Sequence, residues 1–112
     1  MAKINQIVKL EKTCESCPTQ YEGIIKTPKG TRPLYIRYRW GYLSIRVGML
    51  NSEDIMDAVR GIEVIGVQLG DWFDGKLEKR RIMQYIDSLC SLDIEAQIAR
   101  RLNNGMERIS SR

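Results

Sequence analysis

Arg37, Arg39 and Arg46, interleaved with Tyr35 and Tyr42, are the residues of this chain best equipped for chemistry. Guanidinium groups match phosphate oxygens with paired donors, and aromatic rings stack on bases or on guanidinium planes. If Trp40-Gly41 forms a two-residue turn, Arg39 falls opposite Tyr42, Arg37 opposite Ser44 and Tyr35 opposite Arg46. Directly opposed residues on one sheet face stand about 5 Å apart. Three arginines and two tyrosines then form one patch with the composition of a phosphate-and-base binder. The plainer alternative is a solvated strand face. The neighbourhood keeps the two readings level: Lys26, Lys29, Arg32, Arg37, Arg39 and Arg46 lie between Ile24 and Gly48 with no acid among them.

Other residues offer less. Trp72-Phe73 stands in the loop Gly70-Asp71-Trp72-Phe73-Asp74-Gly75, where one ring is free to stack on a base. The alternative is a hydrophobic staple at the start of the next helix, although Glu78 or Lys79 stands where the apolar partner belongs. Cys14-x-x-Cys17 is half of a zinc site, or a pair of small packed hydrophobes. Cys90 is the only other thiol, so a four-ligand site needs carboxylates or a second chain. Lys79-Arg80-Arg81 and Arg100-Arg101 read as solvated helix faces that symmetric assembly turns into an anion site.

The chain contains no His, which removes the usual general base, the Ser-His-Asp and Cys-His pairs and the commonest zinc ligand. There is no glycine-rich phosphate loop, and nothing around Asp71 and Asp74 argues for a tuned carboxylate pair. These readings describe a binding protein without metal or cofactor, not an enzyme.

The elements that must hold the patch follow from periodicity. Lys3–Lys12 alternates weakly, placing Ile4, Gln6, Val8 and Leu10 on one side of a first strand. Residues 13–19, TCESCPT, are loop chemistry. Tyr21–Thr27 is a second strand, and Pro28-Lys29-Gly30 signals a turn. Leu34, Ile36 and Tyr38 alternate with Tyr35, Arg37 and Arg39. After Gly41, Leu43, Ile45 and Val47 alternate with Tyr42, Ser44 and Arg46, so the two runs make a hairpin. Residues 51–54, NSED, cap a short helix ending at Val59. Gly61–Leu69 supplies the fifth strand.

From Asp74 the period becomes helical. Leu77, Ile82, Met83, Ile86 and Leu89 line one helix, with Asp74 or Gly75 as its cap. A second helix begins near Ser91, with Leu92, Ile94, Ile98, Ala99, Leu102, Met106 and Ile109 forming a wide apolar face for self-association. Asn103-Asn104-Gly105 predicts an early end through a left-handed cap. The fold expectation is α+β: an antiparallel sheet of about five strands followed by two C-terminal helices.

The 112 residues fit a single domain, with a sheet half at 1–70 and a helical half at 71–112. At 43% apolar the chain can bury one modest core. No apolar run reaches the ~18 residues of a membrane span, the first residues lack a signal-peptide core, and an odd cysteine count suits a reducing compartment. A cytoplasmic location is therefore expected. Nine basic against five acidic residues in 1–56, and nine of each in 57–112, place the whole net charge of +4 in the first 56 residues.

Residues 17–23, CPTQYEG, followed by 35–48, YIRYRWGYLSIRVG, and then Leu69-Gly70-Asp71 and Asp74-Gly75 carry a family likeness. Across residues 14–90 the chain resembles the first-described family of phage Thoeris anti-defence proteins. That resemblance implies a non-catalytic sponge that sequesters cyclic ADP-ribose isomers made by bacterial TIR-domain enzymes. It further implies an N-terminal sheet with C-terminal helices, acting in the host cytoplasm and assembling from dimers into larger oligomers, often hexamers. Some members also bind cyclic di- and trinucleotides at separate sites. The family's ligand residues do not transfer one by one. The candidate site therefore stays with Tyr35, Arg37, Arg39, Tyr42 and Arg46, joined by Trp72, Phe73, Arg100 and Arg101. Two alternatives use the same surfaces: a small basic nucleic-acid-binding regulator, and an inhibitor module that docks on a protein through its last helix.

Overall fold

Five strands in chain order, each antiparallel to the next, build the sheet that carries the arginine hairpin. The structure, a computed structural model, describes residues 3–14, 19–39, 41–69 and 75–110, with backbone alone at 14, 75–79 and 103–110. The strands are β1 (Gln6–Cys14), β2 (Thr19–Thr27), β3 (Gly30–Arg39), β4 (Tyr42–Val47) and β5 (Ile62–Gln68). Helix α1 (Ile55–Val59) bridges β4 and β5, while α2 (Gly75–Ser88), a 3-10 turn (Leu89–Ser91) and α3 (Ile94–Ser110) follow the sheet. This is the expected α+β order.

Alternation divides the sheet into two faces. Leu34, Ile36, Leu43 and Ile45 are fully buried on the inner face, where they join Ile82, Ile86, Leu89 and Ile94 from the helical half in one core. Burying a side chain of this size is worth about 2 kcal/mol, so the inner face dominates stability. Asn5 ties the chain start to the helical half: its amide donates to the carbonyls of Leu89 and Leu92 at 2.7 and 2.6 Å.

The β3–β4 register is the one read from the sequence, with Arg39 opposite Tyr42, Arg37 opposite Ser44 and Tyr35 opposite Arg46. The first strand differs from expectation. Register slips around Val8 and Thr13 turn Ile7 and Leu10 inward, while Ile4 and Val8 are exposed. A bulge inserts one residue and flips the alternation that follows, so Val8 shares no face with Leu10. Gly23, opposite Leu10, is where β1 presses on β2: a Cβ there would lie 2.0 Å from the Lys9 carbonyl oxygen.

Asp54 caps α1 by accepting the Met56 amide at 3.0 Å, and Asp93 caps α3 by accepting the Ala96 amide at 3.1 Å. Two helical expectations need correction. Met83 is exposed, because Ile82, Ile86 and Leu89 already fill the side of α2 that meets the sheet. Helix α3 also runs through Asn103-Asn104-Gly105 to Ser110. A helical Gly costs only about 1 kcal/mol relative to Ala, too little to end a helix alone. Among the described residues, no helix is long and apolar enough to cross a membrane.

Candidate functional site

The outer face of β3, β4 and β5 encloses a concavity of about 690 Å³ lined by Tyr35, Arg37, Arg39, Tyr42, Ser44, Arg46, Glu63 and Gln68, with Val59 of α1 at its border. All five hairpin residues expected from the sequence are brought together there. Strand alternation does this directly, since the same hairpin sends Leu34, Ile36, Leu43, Ile45 and Val47 into the core.

The arginines are held differently. Arg46 donates from Nη1 to the Gly61 carbonyl at 3.0 Å, which fixes its guanidinium over the start of β5. Arg37 is half-buried, and its Nε is buried with no hydrogen-bond partner among the described residues. Arg39 is exposed at the hairpin end. Among the described residues, neither Arg37 nor Arg46 forms an ion pair. A guanidinium with unused donors in a concavity is a receptor for phosphate oxygens.

The site also contains an acid that hairpin spacing does not reveal. Glu63 of β5 is the register partner of Arg46. Its Oε1 accepts the Ser44 hydroxyl at 2.6 Å, and the Tyr42 phenol reaches both carboxylate oxygens at 3.1 and 3.2 Å. Gly66 makes this possible. A Cβ at Gly66 would lie 2.2 Å from the Tyr42 phenol oxygen and 2.5 Å from Glu63 Oε2, so any larger residue displaces the pair. The sequence signal was a glycine inside a strand, a mark of close approach.

Partial burial is the largest influence raising the Tyr42 phenol above its ordinary pKa of 10.0, followed by the hydrogen bond to Glu63 and that carboxylate's charge. Arg101 and Arg46 oppose the shift, which puts the Arg101 charge within electrostatic reach of the concavity. Arg100 and Arg101 are both exposed on α3, and of the two it is Arg101 whose charge acts on Tyr42. Arg81 serves the scaffold instead, donating to the Leu69 carbonyl at 2.7 Å. Trp72, Phe73 and Cys17 lie outside the described residues. So does the Cys14 side chain; Cys90 is a free thiol. Among the described residues, no three His, Cys, Asp or Glu side chains stand together to hold a metal ion.

The arrangement is two-sided: guanidinium donors on β3 and β4 face a hydroxyl-anchored carboxylate on β5. It can bind a phosphate-bearing molecule and orient it. Comparisons with protein families, curated proteins and solved structures find no match for this chain.

Proposed function

We propose that this protein binds and sequesters a cyclic nucleotide signal of the cyclic ADP-ribose type without transforming it, and so blocks an anti-phage defence in the bacterial cytoplasm. One observation carries the reading: a concavity of about 690 Å³ in which Arg37, Arg39 and Arg46 converge with Tyr35 and Tyr42. Its size lies within the ~300–1,000 Å³ typical of small-molecule sites. The arginines neutralise a pyrophosphate, and the tyrosine rings offer stacking surface for adenine. The likeness of the 14–90 segment to Thoeris anti-defence sponges supports the same class of ligand.

Sequestration demands slow release, since a signal freed quickly still reaches its receptor. Self-assembly into a dimer or hexamer belongs to the proposal, with exposed Leu102 on α3 as an apolar residue for another copy to cover. Native mass spectrometry of the intact protein reads oligomer size and bound ligand together.

The test incubates the protein with cyclic ADP-ribose, removes unbound ligand and heats the complex. Unchanged ligand returning to the supernatant is expected. A double variant, Arg37→Ala with Arg46→Ala, should capture at least tenfold less, since charge-assisted bonds are each worth about 1.5–3 kcal/mol. Ligand returning altered, or no capture by the unmodified protein, overturns the proposal.

A further inference from the structure

We infer that Glu63 is a specificity residue that accepts hydrogen bonds from the vicinal hydroxyls of a ligand ribose, so that the site selects ribonucleotides over bare polyphosphates. The inference rests on the phosphate-binding reading of the concavity and adds a second recognition element to it.

A carboxylate facing arginines suggests simple charge neutralisation, but the geometry differs. Among the described residues Glu63 forms no ion pair, and its carboxylate is held by the Ser44 and Tyr42 hydroxyls instead. Ser44 and Tyr42 both reach Oε1, at 2.6 and 3.2 Å, while Oε2 receives only the shared Tyr42 proton, at 3.1 Å. A carboxylate has about four acceptor positions, so capacity remains for a ligand. Two donors orienting one acceptor, over a glycine whose Cβ would collide with it, make a prepared site.

Position decides which ligand donor it meets. Glu63 is the register partner of Arg46, and the Arg46 guanidinium is anchored on Gly61, two residues before Glu63. A phosphate on Arg46 therefore leaves Glu63 within reach only of groups a few bonds away. Ribose hydroxyls stand at that separation from a 5′-phosphate, whereas the base amine lies beyond the sugar. Carboxylates recognise ribose hydroxyls in this way in dinucleotide-binding folds.

Calorimetric titration with ADP, 2′,3′-dideoxy-ADP, inosine diphosphate and inorganic pyrophosphate tests the assignment. The unmodified protein should prefer ADP over dideoxy-ADP by about tenfold to a hundredfold, the range for bonds to a charged group. Glu63→Met keeps the side-chain length and removes both acceptor oxygens. It should erase that preference while binding pyrophosphate at least as well, because a negative charge has left the phosphate's neighbourhood. Ser44→Ala, which keeps the charge but loosens its aim, should fall between; melting curves establish that both variants are folded.

A preference for ADP over dideoxy-ADP that survives in Glu63→Met, or its absence from the unmodified protein, overturns the inference. Discrimination that follows inosine diphosphate rather than dideoxy-ADP overturns it in favour of base-amine recognition. If Arg46→Ala weakens pyrophosphate while no diol preference exists, the phosphate site stands and the inference alone fails. If pyrophosphate does not bind, both fall.

Discussion

Tyr42 shows how one side chain reports the state of the whole concavity. It stands at the hairpin turn, 40% exposed, with its phenol proton shared between the two Glu63 oxygens. Partial burial and then Glu63 favour the neutral phenol, so ionisation occurs above 10.0. The fold therefore gains stability from Tyr42 that is fully present below 10.0 and is lost as pH rises through the raised value. In an ultraviolet titration, Tyr42→Phe should remove a component ionising above 10.0, and Glu63→Met should move that component downward. Loss of only an ordinary component in Tyr42→Phe would show that the carboxylate does not govern the phenol. The hairpin partners of Tyr42 are legible in sequence because strict alternation and a two-residue connection leave one register. Glu63 is not, because it arrives from β5, whose register against β4 shifts between Ile45 and Arg46. Val64, the residue skipped in that pairing, is buried, and no residue type announces such a slip.

Elements are joined through contacts that alternation alone does not foretell. Arg32 belongs to the acid-free run, yet it sits on the inner side of β3 and reaches α3. Its guanidinium meets both Glu95 oxygens at 2.8 Å and the Gly48 carbonyl at 2.8 Å, with side-chain exposures of 14% and 17% for the pair. Removing one member of so enclosed a pair strands a desolvated charge. Glu95→Ala should therefore cost about 2–3 kcal/mol in urea unfolding, and Arg32→Leu combined with Glu95→Leu should recover most of that loss. A loss under about 0.5 kcal/mol would class the pair with ordinary surface bridges. The same contact explains why shortening the chain at Cys90 cannot isolate the sheet. Ile94 and Glu95 would both be lost, and Ile94 is 1% exposed in the core. The strand and helix order follows from period and turn chemistry, whereas the inward side of β1 does not. The slip at Val8 splits the side that alternation predicts, so Leu10 packs inward together with Ile7 while Ile4 and Val8 are exposed.

At the scale of the whole molecule, the fold divides a charge run that looks continuous in sequence. Of six cations between Ile24 and Gly48, Arg37, Arg39 and Arg46 share the concavity. Arg32 is turned inward onto Glu95, and Lys26 and Lys29 lie at the β2–β3 turn, the opposite end of the hairpin from Arg39 and Tyr42. Glu22 and Glu11 extend the same outer face as a directly opposed pair on β2 and β1, which repels a polyanion laid across the sheet. A nucleic acid can therefore engage about three phosphates at once, not six. For duplex DNA that predicts a log–log slope of affinity against salt near −2.7, at ~0.9 per phosphate. A small nucleotide carries no condensed counterion sheath, so its slope should be shallower still. Titrating one preparation with cyclic ADP-ribose and with a duplex oligonucleotide between 50 and 200 mM salt, roughly the range over which polymer binding collapses, separates the readings. Tight cyclic ADP-ribose binding with a shallow slope, beside weak DNA binding, is the result expected of a sponge. A duplex slope near −5 with the tighter affinity would mean that the scattered cations act together, and would return the basic face to nucleic acid.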